Sequence, residues 1–211
     1  MKVTLKLVVI FIETILSVFS FFWPRNKNVF IFGEWLGNRF DDQACYIFKK
    51  LNENPISAKH KYIWITKNKD LLLKIRSIGY TCYHANSFLG WYYCLKGYTV
   101  FLTHSLKDVN RIAAFGAKKV MLWHGTPIKK IYADNPMDKR YNSNKRVLQF
   151  VRLIYKYISP ISENYSYDYF LAPNEFICDV YKSAMSWHIS GKTKFLIGFD
   201  FRKKIINDFL L

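Results

Sequence analysis

From Asn28 to Gly198, short apolar runs alternate with segments of helical periodicity, and that alternation admits few architectures. Val29-Phe30-Ile31-Phe32-Gly33 has the pattern of a buried strand running into a turn. Lys61–Thr66, Tyr80–His84, Thr99–Thr103 and Lys119–Trp123 repeat it, and Tyr169–Ala172 and Lys194–Ile197 follow. Between the strands, helices are expected from Asp41 to Asn52 and over Leu71–Ile78, Ser87–Lys96, Leu106–Phe115 and Val147–Ile158. A further one is expected from Glu175 to Met185. Strands joined by helices run parallel, and a parallel sheet is covered on both faces. The expectation is therefore an α/β chain with a Rossmann-like domain.

Three segments are expected. Residues 1–27 form a hydrophobic helix and linker, and residues 28–145 a Rossmann-like domain with a basic loop. Residues 146–211 form connecting helices and the start of a second domain. Leu7 to Trp23 is apolar apart from Glu13, Thr14 and two serines, with Lys2, Lys6, Arg25 and Lys27 flanking it. It has no small-residue cleavage pattern of the kind a removable signal carries. Three readings are open: a buried core helix, a membrane span weakened by Glu13, or an in-plane anchor on anionic lipid. Membrane contact at the cytoplasmic face is the favoured expectation, and Pro24 ends the helix.

A formal charge of +17 on 211 residues calls for an anionic partner: nucleic acid, an acidic membrane surface or a phosphate-bearing substrate. No helix-turn-helix, zinc-finger or RNP-type pattern accompanies the charge, so nucleic acid is not the expected partner. Cys45, Cys82, Cys94 and Cys178 have no close pairing and read as buried small hydrophobes in a reducing compartment, with no metal site. Gly33 and Gly37 are too sparse for a dinucleotide fingerprint, and no Walker A sequence occurs. No cofactor is expected.

The candidate reactive residue is His124, at the end of the fifth strand. Ligands of open parallel sheets bind beyond the carboxyl ends of strands, and an imidazole titrates where a general base must. Gly125 lacks the side chain that would block close approach, and Pro127 stiffens the turn. Lys129 and Lys130 follow within reach of phosphate oxygens. Thr126, Thr103 and Ser105 complete the expected substrate-binding set, with His104 also bordering the crevice.

Trp123 to Lys130 (WHGTPIKK) resembles the signature of the CDP-glycerol glycerophosphotransferase family, the teichoic-acid primases and polymerases. Gly33–Cys45 (GEWLGNRFDDQAC), Val100–Asp108 (VFLTHSLKD) and Asp168–Glu175 (DYFLAPNE) resemble other stretches of that family. The resemblance implies a GT-B architecture, with two Rossmann-like domains and a cleft between them. It also implies that His124 deprotonates an acceptor hydroxyl for attack on CDP-glycerol, or CDP-ribitol, with loss of CMP. The acceptor would be a polyanionic, lipid-linked polymer.

The sequence departs from the family after the last strand. Gly198-Phe199-Asp200-Phe201-Arg202 lacks the proline of the family's Gly-x-Pro-Arg-x-Asp pattern, and the displaced arginine is followed by the chain end at Leu211. The expectation is a truncated member, or one half of an enzyme completed by a separate donor-domain polypeptide. A non-catalytic, membrane-associated module that holds acceptor is the main alternative, and a basic nucleic-acid-binding protein the lesser one.

Overall fold

Seven parallel strands form one sheet in the order β3-β2-β1-β4-β5-β6-β7. The computed structural model describes residues 2–53, 55, 58–138, 165–186 and 188–198, without the side chains of residues 2–7 and 10. The helix expected over Val147–Ile158, the basic residues Lys139, Arg140, Lys145 and Arg146, and the stretch Phe199–Arg202 lie outside the described residues. The strands are β1 (Asn26–Phe32), β2 (Lys61–Thr66), β3 (Cys82–His84), β4 (Gly97–Leu102), β5 (Lys118–Met121), β6 (Tyr169–Ala172) and β7 (Lys194–Ile197). The helices are α1 (Lys2–Phe22), α2 (Gln43–Glu53), α3 (Lys69–Ser77), α4 (Phe88–Lys96) and α5 (Glu175–Ala184).

Side chains alternate across the pleat, so each strand feeds two apolar layers. Val29, Ile31, Val100, Leu102, Met121 and Phe170 enter one layer. Phe30, Phe32, Phe101, Val120 and Leu171 enter the other. Registry puts Phe32 beside Phe101, and their rings stack with centroids 4.6 Å apart. Helix starts are fixed by side-chain oxygens that accept orphan amides: Asn68 accepts from Asp70 and Leu71, Ser87 from Gly90, and Asn174 from Ile177. The sheet runs on past residue 145, because β6 pairs with β5 and β7 with β6. Residues 169–197 thus extend the same sheet.

Two expected elements differ. No helix covers Leu106–Phe115: a short 3-10 turn at Leu106–Asp108 is followed by turns through Gly116. Asp108 folds its carboxylate back onto the amides of residues 103–105, and Val109 is extended. Asn110 donates to the carbonyl of Ala85 and accepts from the amide of Ala113. These local side-chain bonds compete with helix formation and win. The fifth strand stops at Met121, because Trp123 takes a left-handed conformation with φ 61°.

Helix α1 docks with its polarity inverted. Ser17 and Ser20 are buried, whereas Phe11 is 66% and Phe22 77% exposed. Ser20 Oγ donates to the carbonyl of Ala113 at 2.7 Å, and Arg111 pairs with Glu13. Gly116 admits the backbone of Ser20 and Phe21 where any side chain would collide. Arg25 fastens the exit of the helix, donating to the carbonyls of Ser20, Cys94, Gly97 and Ala113. Such exposure excludes a core helix. Among the described residues no helix is long and apolar enough to cross a membrane. Ser20→Ala is expected to cost about 1 kcal/mol, read as a lower urea midpoint, because a polar contact rather than apolar packing seats this turn.

Candidate functional site

The sheet order reverses direction between β1 and β4, which opens a crevice beyond their carboxyl ends. Three loops meet there: residues 33–42 after β1, 103–110 after β4, and 122–131 after β5. Two buried carboxylates build them. Glu34 accepts from the amides of Asp41 and Asp42 and, at 3.1 Å, from Cys45, tying the first loop to the start of α2. Burial raises its pKa against those three amides.

Asp108 joins the first two loops. Its Oδ1 accepts from the amide of Leu36, and its Oδ2 from those of Thr103 and His104, all at 2.8 Å, with Ser105 at 3.4 Å. Burial pushes its carboxyl up to about 6, although the four amides favour the ionised form.

On this frame stands a column of rings. His124 stacks on His104 with centroids 4.2 Å apart and planes 17° apart. It stacks on Trp123 at 4.3 Å and 25°. Two rings so close and so nearly parallel cannot lie side by side on one imidazole face, so His124 is sandwiched between them and stays partly exposed. Trp35 packs against the side of the histidine pair, its ring 4.6 Å from His104 and 5.6 Å from His124. Its indole N–H donates to Asp42 at 2.7 Å, and the Arg39 guanidinium lies 4.6 Å from the ring.

Strained backbone makes the column possible. Neighbouring side chains of a strand point to opposite faces, so Trp123 and His124 could not stack within β5. The left-handed turn at Trp123 turns them toward each other. Trp35 and Leu36 are left-handed too, with φ 48° and 57°. Non-glycine residues rarely adopt this region, and such strain gathers at functional sites.

Both imidazoles have lowered pKa values. Burial is the main cause for each, and for His124 the neighbouring His104 adds to it, while Asp42 and Asp108 pull weakly the other way. The lowered values favour the uncharged imidazole at neutral pH.

The structure sorts the other expected site residues. Gly125 and Thr126 are exposed beside His124. A Cβ on Gly125 would meet no protein atom within 4 Å, and its φ of 137° favours glycine there. Gly125, Thr126, Leu171 and Tyr181 border a pocket of about 170 Å³, with the Tyr181 hydroxyl donating to the Gly125 carbonyl. Lys129 and Lys130 are exposed in the loop beyond. Thr103 is fully buried, its Oγ1 accepting from the amide of Trp35 and lying 3.1 Å from His104 Nδ1. Ser105 is buried and caps the 3-10 turn with Asp108. These two build the loop. Trp35, Asp42 and Asp108 were not picked from the sequence, although the Ser105-x-x-Asp108 spacing is a capping-box pattern. Among the described residues no cluster of three His, Cys, Asp or Glu side chains could hold a metal ion.

Residues 15–199 match the model of the CDP-Glycerol:Poly(glycerophosphate) glycerophosphotransferase family. The chain belongs to that family. The teichoic acid poly(glycerol phosphate) polymerase of Bacillus spizizenii is 28% identical over 166 residues, covering 78% of this chain and 39% of that one. The solved wall teichoic acid polymerase TagF superposes with a TM-score of 0.57 at 16% identity, over 97% of this chain and 47% of that one. A variant of TagF soaked with CDPG gives 0.56, again at 16% identity, with 97% and 48% covered. The structural likeness establishes a TagF-like fold. The family member described here spans less than half the length of these relatives.

Proposed function

We propose that this glycerophosphotransferase family member supplies the acceptor side of a GT-B-like transferase that moves glycerol phosphate from CDP-glycerol to a polyanionic acceptor. His124 takes the proton of the acceptor's terminal hydroxyl on a ring nitrogen. The hydroxyl oxygen forms a bond to the β-phosphorus as the bond from that phosphorus to the CMP oxygen breaks, and CMP leaves with the electron pair. Transfer of this kind is largely positioning and charge stabilisation. Lys129 and Lys130, exposed in the loop beyond His124, meet phosphate oxygens, and Gly125 and Thr126 line the approach. The observation that carries the reading is His124 held between Trp123 and His104 at the carboxyl edge of the sheet, beside the point where the strand order reverses.

Helix α1 supports a location at an anionic membrane surface. Its outward face carries Val8, Phe11, Ile12, Ile15, Phe19 and Phe22, all at least 46% exposed, and a chain of charge +17 is drawn to acidic lipid. The test is CMP release from CDP-glycerol by the purified chain with acceptor-bearing membranes, beside His124→Ala. Release that disappears in the variant supports the transfer reading. Acceptor binding with no release by either protein favours a non-catalytic module, or a subunit that needs a separate donor-binding polypeptide.

A further inference from the structure

Two imidazoles pressed face to face beside a reacting centre differ from one imidazole in a single respect: they cannot both be charged without mutual repulsion. We propose that His104 is the positioning residue for His124, walling one face of its ring and limiting the pair to one proton, so that His124 keeps a neutral ring nitrogen. The proposal rests on the reading of His124 as the base.

The geometry fixes His104 from every side. Its amide donates to Asp108 Oδ2 at 2.8 Å, and its carbonyl accepts from the Tyr167 hydroxyl at 3.2 Å. Its Nδ1 lies 3.1 Å from Thr103 Oγ1, which already accepts from the amide of Trp35 at 3.2 Å. Thr103 Oγ1 can donate its one proton to Nδ1 or accept from Nδ1–H on its second lone pair, so this contact holds the ring in either tautomer. Trp35 covers His104 at 4.6 Å, so the ring has little room to turn.

Like charges separated by two touching ring faces, with no room for water between them, repel strongly. The pair therefore titrates as a unit whose second proton is strongly disfavoured. The charged groups acting on it are few. Asp42 attracts a proton to either ring, and Asp108 to His124. Arg39 lies over Trp35, and Lys129 and Lys130 follow in the loop that His124 opens. On the other face of His124, Trp123 would favour an imidazolium through its π-cloud. His104 is the group that opposes this by direct contact.

The test separates charge from packing. His104→Phe keeps a flat ring against His124 and removes the second titrating group, whereas His104→Gln removes both. Ring-proton NMR of the full chain, followed from acid to alkaline pH, should show the His124 midpoint move to higher pH in both variants. In the CMP-release assay the acid limb of kcat/KM should move the same way. The alkaline plateau should fall by about tenfold in the Gln variant, through lost ring alignment, and by less in the Phe variant. A His124 midpoint that stays in place in both variants overturns the proposal, whatever the rates do. If the midpoint moves but His124→Gln still transfers, the pairing stands and the base assignment fails.

Discussion

Replacing His124 with glutamine is expected to lower CMP release by about 10²- to 10⁴-fold, the range a positioned general base contributes. Glutamine is close to histidine in length and fills the slot between Trp123 and His104, which separates the lost chemistry from a collapsed column. It carries an amide, which takes no proton at neutral pH. The fall should appear in kcat, with KM for donor and acceptor nearly constant, because removing the base does not remove the binding surface. The pH profile gives a second reading. Burial and His104 hold the His124 pKa below the ordinary imidazole value of 6.5, so the base stays neutral into mildly acid solution and the wild-type acid limb lies below that value. The limb should vanish in the variant. A variant that transfers within about threefold of wild type, well short of that contribution, removes His124 from the reaction.

Much of this site was legible because it follows from strand ends. An apolar run closed by Trp123-His124-Gly125 reads as a strand delivering a histidine to the carboxyl edge, and the sheet order puts that edge next to the switch point between β1 and β4. What stayed hidden depends on contacts between loops distant in sequence. Trp35 and His104 are 69 residues apart in the chain, and only the pairing of β1 with β4 brings their loops together. Asp108 looked like an ordinary helix residue within a plausible apolar pattern. Its role is set by the amide of Leu36, contributed by another loop.

The N-terminal segment shows the opposite problem. Its hydrophobicity was plain, yet hydrophobicity did not reveal which face would meet the protein. Ser17 and Ser20 look like interruptions of an apolar stretch, and they are the buried contacts. Ser20 faces inward because its hydroxyl meets the carbonyl of Ala113 and the guanidinium of Arg25, whereas the buried Ser17 hydroxyl finds no hydrogen-bond partner among the described residues. A helix seated in this way leaves its apolar surface for something outside the described residues. That is the physical basis for placing it against lipid.

Asp108→Asn is expected to cost about 2–3 kcal/mol of folding stability, in the range for hydrogen bonds to a charged group, and to reduce transfer with it. The carboxylate is acceptor-only and serves four amide donors at once. An asparagine has one oxygen. Its better orientation sets that oxygen against Thr103, His104 and Ser105, leaving its NH₂ facing the amide of Leu36. The opposite orientation orphans three amides, so the first should prevail. Leu36 and its neighbour Trp35 are both left-handed and costly to hold, so losing that bond releases the first loop from the second. Trp35 then loses its place against His104 and His124, and the pair loses its side wall. Amide exchange should locate the damage, with Leu36 faster than in wild type and the amides of β6 and β7 little changed. Asp108→Ala, which orphans all four donors, should cost more than the asparagine variant and threaten a fold of ordinary marginal stability. Equal urea midpoints for wild type and Asp108→Asn would show that the two loops are held together by other contacts.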